Sequence, residues 1–299
     1  MATKQFFDVI ISGAGPAGSI CALFLARKGR TVLVLEKNKF PRDKICADNK
    51  TWKCMDIVKE LGLWKEFQKL SKAEIHGVLI ASPAGNELYT PLHPADVKKK
   101  GPWYNVKRIL FDNMLASAAK KEKTVAFNEN CEVMAPIWEN DQMVGVIYRD
   151  AKGKKKEARA KVVVGADGSR SPIANAVGVP SIVPGRYATN IRAYFENVSG
   201  SMDRCQLYYL KGVCPGYFWI FPVDKKTVNV GIGMRPEDIK RSGKSLQKIL
   251  DEIIQSKRFA PRFKKAKQVS EWKEWGLSVL GSRRKCAGNG WVLCGDAGT

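Results

Sequence analysis

The chain has 299 residues, 44% of them hydrophobic, and 51 Lys and Arg against 29 Asp and Glu, for a formal net charge of +22. That length suffices for one large or two smaller domains, each with a core that needs no staples. No apolar window of about eighteen residues occurs, which excludes a membrane-spanning helix, and the first strand pattern starts too near Met1 to leave room for a signal peptide.

The eight cysteines fall at positions 21, 46, 54, 131, 205, 214, 286 and 294 without a CxxC pair, and His76 and His93 are the only histidines. A zinc site is not expected. Cys21 lies in a helical pattern and Cys294 ends an apolar run, so both read as reduced core residues of a cytoplasmic protein. The positive charge is spread over Lys98 to Lys100, Lys152 to Lys161 and Arg235 to Lys267. It reads as a solvated lysine-rich surface, or as attraction to anionic lipid or an acidic protein. It forms no stripe interleaved with aromatics, so nucleic acid is not an expected partner.

The run Phe6 to Ile11 predicts a strand. It breaks into Gly13-Ala14-Gly15-Pro16-Ala17-Gly18, then into a helical pattern, then into Thr31 to Leu35 ending in Glu36. Strand, glycine turn, helix, strand and acid form the adenine-dinucleotide fingerprint. Gly13 permits the turn, Gly15 lets backbone approach a pyrophosphate, and Gly18 lets helix pack on strand. The phosphates sit at the helix N-terminus, and Glu36 can accept from a ribose.

A polar segment, 37–49, precedes a helix through Trp52, Met55, Ile57 and Leu61 that Gly62 ends; another turn or two follows to Leu70. His76 to Ala81, a turn at Pro83-Ala-Gly85 and Glu87 to Thr90 read as a hairpin that opens a second, antiparallel sheet. Pro91 to Pro102 reads as loop. Asn105 is positioned to cap a helix through about Lys121. Arg108 in its first turn opposes the helix dipole, and reads either as a tolerated surface residue or as a phosphate or ribose contact.

Thr124 to Asn128 running on to Val133, Val144 to Tyr148 and Ala158 to Val164 read as a small meander; the last strand is apolar like a buried parallel strand and ends in Gly165-Ala-Asp-Gly168. Three or four antiparallel strands are expected, at 187–196, 204–209, 216–222 and 227–234, then a helix near 245–255, a basic loop and a strand near 268–275. Gly290 to Thr299 repeats the opening theme: an apolar strand breaks into Gly295-Asp296-Ala-Gly. In Tyr217-Phe-Trp-Ile-Phe221, alternation places Tyr217, Trp219 and Phe221 on one face. Three aromatics there read as core packing or as a flat apolar wall.

The three glycine motifs in this order resemble the two-domain FAD-dependent oxidoreductases of the para-hydroxybenzoate hydroxylase fold. Pro215 to Pro222 is similar, within that fold, to the P-x-x-Y-x-W-x-F-P signature of geranylgeranyl reductases, one residue short before Tyr217. Pro41-Arg-Asp-Lys-Ile-Cys46 resembles that family's segment near the flavin, with Ala47 where the family usually has glycine. The resemblance implies an α/β (α+β overall) chain: a Rossmann-like, glutathione reductase-type FAD domain over 1–75, 103–180 and 281–299, and an inserted antiparallel-sheet substrate domain over 76–102 and 181–280. It implies FAD contacts at Gly13, Ala14, Gly15, Pro16, Ala17, Gly18, Glu36, Lys37, Arg42, Cys46, Arg108, Val133, Asp167, Gly168, Gly295 and Asp296. Tyr217, Trp219, Phe221 and Pro222 become a wall for an isoprenoid chain, and Cys46 or Tyr217 the proton donor.

The implied activity is reduction of C=C bonds in a polyprenyl lipid or quinone side chain, by hydride from reduced flavin N5. No second GxGxxG occurs, so electrons are expected from transiently bound NAD(P)H or from reduced ferredoxin, an acidic donor that the basic surface suits. The same surface suits peripheral contact with an anionic membrane at its inner face. The rival activities are a flavin monooxygenase acting on an aromatic or quinone-like substrate, a halogenase, and a non-catalytic FAD- or lipid-binding protein. Thr299 stands one or two residues into the element expected to complete the phosphate cradle, so the resemblance implies a C-terminally truncated chain that binds FAD weakly or not at all.

Overall fold

The computed structural model describes residues 6–179, 183, 185–279 and 284–298. Met1 to Gln5, the expected boundaries at 180 and 281, and Thr299 lie outside them. The chain divides into two compact units: residues 1–42, 112–186 and 277–299, and residues 43–111 and 187–276.

The first unit is built on a mainly parallel sheet. Its central strands are Phe6–Ser12 and Val32–Glu36, joined by the helix Pro16–Arg27. Val125–Glu129 extends the sheet on one side, and Lys155–Gly165 and Trp291–Leu293 on the other, all in parallel pairing. The helix buries Leu23 and the small residues Gly18, Ser19 and Ala22, which bring it close to the strands. The strand Lys155–Gly165 serves two ladders. Its polar half, through Arg159, pairs antiparallel with Gln142–Arg149, and its apolar half pairs parallel with Phe6–Ser12. The change from mixed to continuous apolar sequence marks where solvent exposure on one face gives way to burial on both.

Two expectations here need correction. The run 124–133 is not one strand but two, Val125–Glu129 and Glu132–Glu139. Asn130 between them takes φ +56, a left-handed conformation that asparagine tolerates. Pro91 to Pro102 is not all loop: Pro94–Lys100 is a helix, with Pro94 in its first turn and Gly101 at φ +82 ending it.

The second unit carries a seven-strand path: Lys267–Gln268, Tyr187–Glu196, Thr227–Met234, Tyr217–Pro222, Arg204–Tyr208, Gly77–Ala81 and Glu87–Pro91. The expected hairpin is its outer pair. The sheet is mixed rather than antiparallel throughout, because Arg204–Tyr208 and Gly77–Ala81 run parallel. A chain that leaves one edge strand and returns far later can enter the sheet in either direction, and alternation does not distinguish the two. A small sheet of Asn49–Lys50, Trp103–Asn105 and Ala73–Ile75 accompanies it.

Alternation sorts the large sheet's faces. Phe218, Ile220, Val228, Val230 and Ile232 pack with Leu246 and Leu250 of the helix Leu246–Gln255 and with Phe259. Trp219 and Phe221 face the other way, among Ala73, Ile75 and Cys205. Asn105 is not the expected helix cap. It ends a strand, is fully buried, and its Nδ2 donates to the Pro222 carbonyl at 2.6 Å. The helix Arg108–Lys120 instead begins under the carboxylate of Asp48, whose Oδ1 accepts from Arg108 N–H at 3.0 Å.

Phe218 is fully buried, so Phe218→Ala should cost about 3–5 kcal/mol in urea unfolding; a loss under about 1 kcal/mol would contradict this core. Burial pushes the Cys205 thiol up to about 12, against Asn105 and Asn49 side chains that pull it down. At pH 8, iodoacetamide should therefore label exposed Cys214 and leave Cys205 intact, as read by peptide mass mapping.

Candidate functional site

In the first unit the three glycine motifs meet. Gly13 has φ +92, and a Cβ there would lie 2.6 Å from the Ala166 carbonyl and 2.7 Å from Asp167 Cα. A Cβ on Gly18 would strike the Gly13 carbonyl. Ser12 Oγ donates to Asp167 Oδ2 at 2.7 Å, and Cys294 N–H donates to the Gly165 carbonyl at 2.9 Å. A Cβ on Gly295, at φ +63, would come 3.0 Å from Ala17 Cβ. Gly15 differs: a Cβ there would meet only Arg42 Nη2, at 3.7 Å. The protein's own packing thus dictates Gly13 and Gly18, and leaves backbone open at Gly15.

The helix Pro16–Arg27 starts after Gly15 with no side-chain cap and no acid in its first turn. Its first N–H groups have no intrahelical acceptor and point their dipole at an anion. Glu36 is buried and braces the turn: Oε2 accepts from Ala14 N–H at 2.9 Å, and Oε1 accepts from Asn38 N–H at 3.0 Å. Arg42 pairs with Glu36 at 3.5 Å and Asp112 at 3.0 Å, which holds a guanidinium beside Gly15. Lys37 and Asp296 are exposed, Gly168 opens a 3-10 turn at φ +81, and the Val133 side chain lies in the core.

A cofactor with phosphates and hydroxyls fits this cradle. Among the described residues Asp167 Oδ1 is buried without a hydrogen-bond partner, and burial raises the pKa of its carboxyl against the Ser171 and Ser12 hydroxyls that lower it. A buried acceptor with no donor is costly, and a ligand hydroxyl would satisfy it. Gly13, Ala14, Gly15, Pro16, Ala17 and Gly18 with Arg42 would hold the phosphates, and Asp167 a hydroxyl.

In the second unit Cys46 is tied by two bonds. Asp48 N–H donates to Cys46 Sγ at 3.3 Å, and Asn229 Nδ2 donates to the Cys46 carbonyl at 2.6 Å. Asp48 is fully buried at φ +71. Its Oδ2 accepts from Tyr194 Oη at 2.9 Å and from Asn229 Nδ2 at 2.7 Å. Burial raises its pKa, while Lys50 and these donors favour the charged form. Asn229 Oδ1 accepts from Trp219 Nε1 at 2.9 Å. One buried amide therefore connects the aromatic row to the cysteine loop.

Trp219 and Phe221 are buried, Tyr217 is half-buried, and the rings of Tyr209, Tyr217 and Trp219 follow one another at 5.7 and 5.9 Å. Burial, and then Tyr209 and Cys46, push the Tyr217 phenol up. Sequence reasoning missed Asp48, Tyr194, Arg192 and Asn229. A signal existed: Arg192 and Asn229 interrupt strands otherwise built for burial. Among the described residues no group of His, Cys, Asp and Glu could hold a metal ion, and no helix is long and apolar enough to cross a membrane.

The profile of a protein family described as FAD binding domain matches residues 7–297. A digeranylgeranylglycerophospholipid reductase of Methanosarcina acetivorans is 31% identical over 98% of this chain, which spans 69% of that protein. Another relative, 33% identical, is spanned over 43% of its length. A geranylgeranyl bacteriochlorophyll reductase-like protein of Thermoplasma acidophilum aligns in structure with TM-score 0.84 and 24% identity, over 98% of this chain and 72% of that one. A flavin-dependent brominase, a triple mutant of Bmp2, aligns with TM-score 0.83 and 25% identity over 98% and 73%, so one fold hosts different reactions. The chain belongs to the FAD-binding-domain family, as a FAD-dependent oxidoreductase of the geranylgeranyl reductase type.

Proposed function

We propose that this protein reduces isolated C=C bonds of a polyprenyl lipid or quinone side chain. The observation that carries the reading is the Asn229 link, which joins Cys46 to the row of Tyr217, Trp219 and Phe221. Bound FAD, once reduced by the electron donor, would supply hydride, and the chain's residues would supply position, dryness and a proton. An isolated alkene gives an oxyanion hole nothing to grip, so rate rests on orientation and exclusion of water. An apolar wall suits the chain of such a substrate, and Pro222 is fixed at its end by Asn105.

The proton reaches the second alkene carbon from Cys46 Sγ or Tyr217 Oη. Tyr217 stays protonated across the physiological range because its environment raises its phenol further. Electrons come from NAD(P)H or from a reduced, acidic ferredoxin-type donor. The net charge of +22 favours docking of such a donor and peripheral contact with an anionic membrane.

At least one of Cys46→Ala and Tyr217→Phe should lower turnover about a hundredfold or more, the usual worth of a positioned acid; wild-type rates in both would exclude either residue as the donor. Prenyl lipids from a host expressing the protein should gain two hydrogens per reduced bond by mass spectrometry. Unchanged prenyl masses beside hydroxylated or halogenated aromatic products would refute the reductase reading.

A further inference from the structure

Arg192 lies in the middle of the strand Tyr187–Glu196 and is fully buried. Its Nη2 donates to both oxygens of Asp43, each at 2.8 Å. Its guanidinium lies over the Tyr194 ring, 4.3 Å from the centroid. Nε and Nη1 are buried and have no hydrogen-bond partner among the described residues. Three charged N–H bonds are therefore withdrawn from water with nothing to receive them, an arrangement that native interiors avoid.

Neither nearby carboxylate can serve them. Asp43 also accepts from Lys273 Nζ at 2.9 Å. Burial opposes its ionisation, but the Arg192 and Lys273 charges prevail and hold its carboxyl below the usual range. Both oxygens of Asp48 are engaged by Tyr194, Asn229 and Arg108 N–H. Lys50 accompanies Asp48, donating to its carbonyl. Among the described residues, Arg192 and Lys273 thus share the one carboxylate of Asp43, and Lys50 accompanies Asp48, so the cations outnumber the carboxylates. Lys107, 5.1 Å from the Tyr194 ring, is already paired with Asp224.

The geometry points to an anion site at Arg192 and Lys273, which would take a carboxylate or phosphate oxygen on Arg192 Nε and Nη1. Lys273 is 44% exposed and shares Asp43 with the buried Arg192, so one end of the site is solvated. The inference goes beyond the proposed reduction and does not depend on it. Reduction of an alkene needs no anion there, and Arg192 is not among the residues assigned to FAD or to the proton.

The test is thermal unfolding of the whole chain titrated with potassium acetate, potassium phosphate or phosphatidylglycerol vesicles, at constant ionic strength set by chloride. We expect a saturable rise in Tm. A rise with the soluble salts alone would assign a free anion, and a rise with vesicles alone a lipid headgroup. Lys273→Gln, at an exposed position, should weaken the apparent affinity about tenfold, the usual scale for one charged hydrogen bond. Arg192→Met should abolish saturation. Anion binding at the Gly13 to Gly18 cradle would survive both substitutions. No saturable rise in the parent chain, or equal affinity in the parent and Lys273→Gln chains, would overturn the site.

Discussion

Close approach of two backbone turns governs the first unit. The Gly13 turn lies on the Ala166–Asp167 turn with no room for a Cβ, and the Gly18 helix lies on the Gly13 carbonyl. Everything else in the cradle follows from that distance. It lets Ser12 reach Asp167 across the sheet. It also brings Gly295 against Ala17, and it leaves the first-turn N–H groups facing outward beside Arg42. Packing this tight tolerates no side chain, so the neighbouring Gly13 and Gly18 and the Gly295 at the far end of the chain act as a single element.

The second unit rests on a different constraint, the need to satisfy a buried carboxylate. Asp48 sits in a left-handed conformation with no exposure, and a charge there survives only if donors surround it. A tyrosine hydroxyl, an asparagine amide and a helix N–H provide them. Those donors in turn fix the cysteine loop, the start of the helix Arg108–Lys120 and the central strand Thr227–Met234. Through Asn229 the same network reaches Trp219. The aromatic row and Cys46 are consequently parts of one hydrogen-bonded assembly. Arg192 lies over the ring of Tyr194, with two buried nitrogens that have no partner among the described residues.

Much of the fold was legible in local sequence because its signals are local. Gly13-x-Gly15-x-x-Gly18 with Glu36 specifies strand, turn, helix and strand through backbone freedom and periodicity. Alternation in 217–222 separates Phe218 and Ile220 from Trp219 and Phe221, and packing follows that division. The misreadings share a cause. Asn105 has the right chemistry for a cap, but a carboxylate 60 residues away takes that task. Asn130 divides a run that looks continuous, through a backbone angle that composition leaves open. The direction of 77–81 against 204–208 is set by how the chain returns to the sheet, which neither segment encodes.

The sequence by itself determined the glycine turn between strand and helix and the faces of the aromatic strand, because each depends on short, regular spacing of residue types, and its motifs carried the resemblance to FAD-dependent oxidoreductases. Tertiary structure alone decided that Glu36 braces the turn through Ala14, that Asp48 caps a distant helix, that Asn229 joins Trp219 to Cys46, and that Arg192 is buried with donors to spare. These are pairings between residues far apart in the chain. Their energies come from desolvation and hydrogen-bond completion, and those arise only once folding has removed the groups from water.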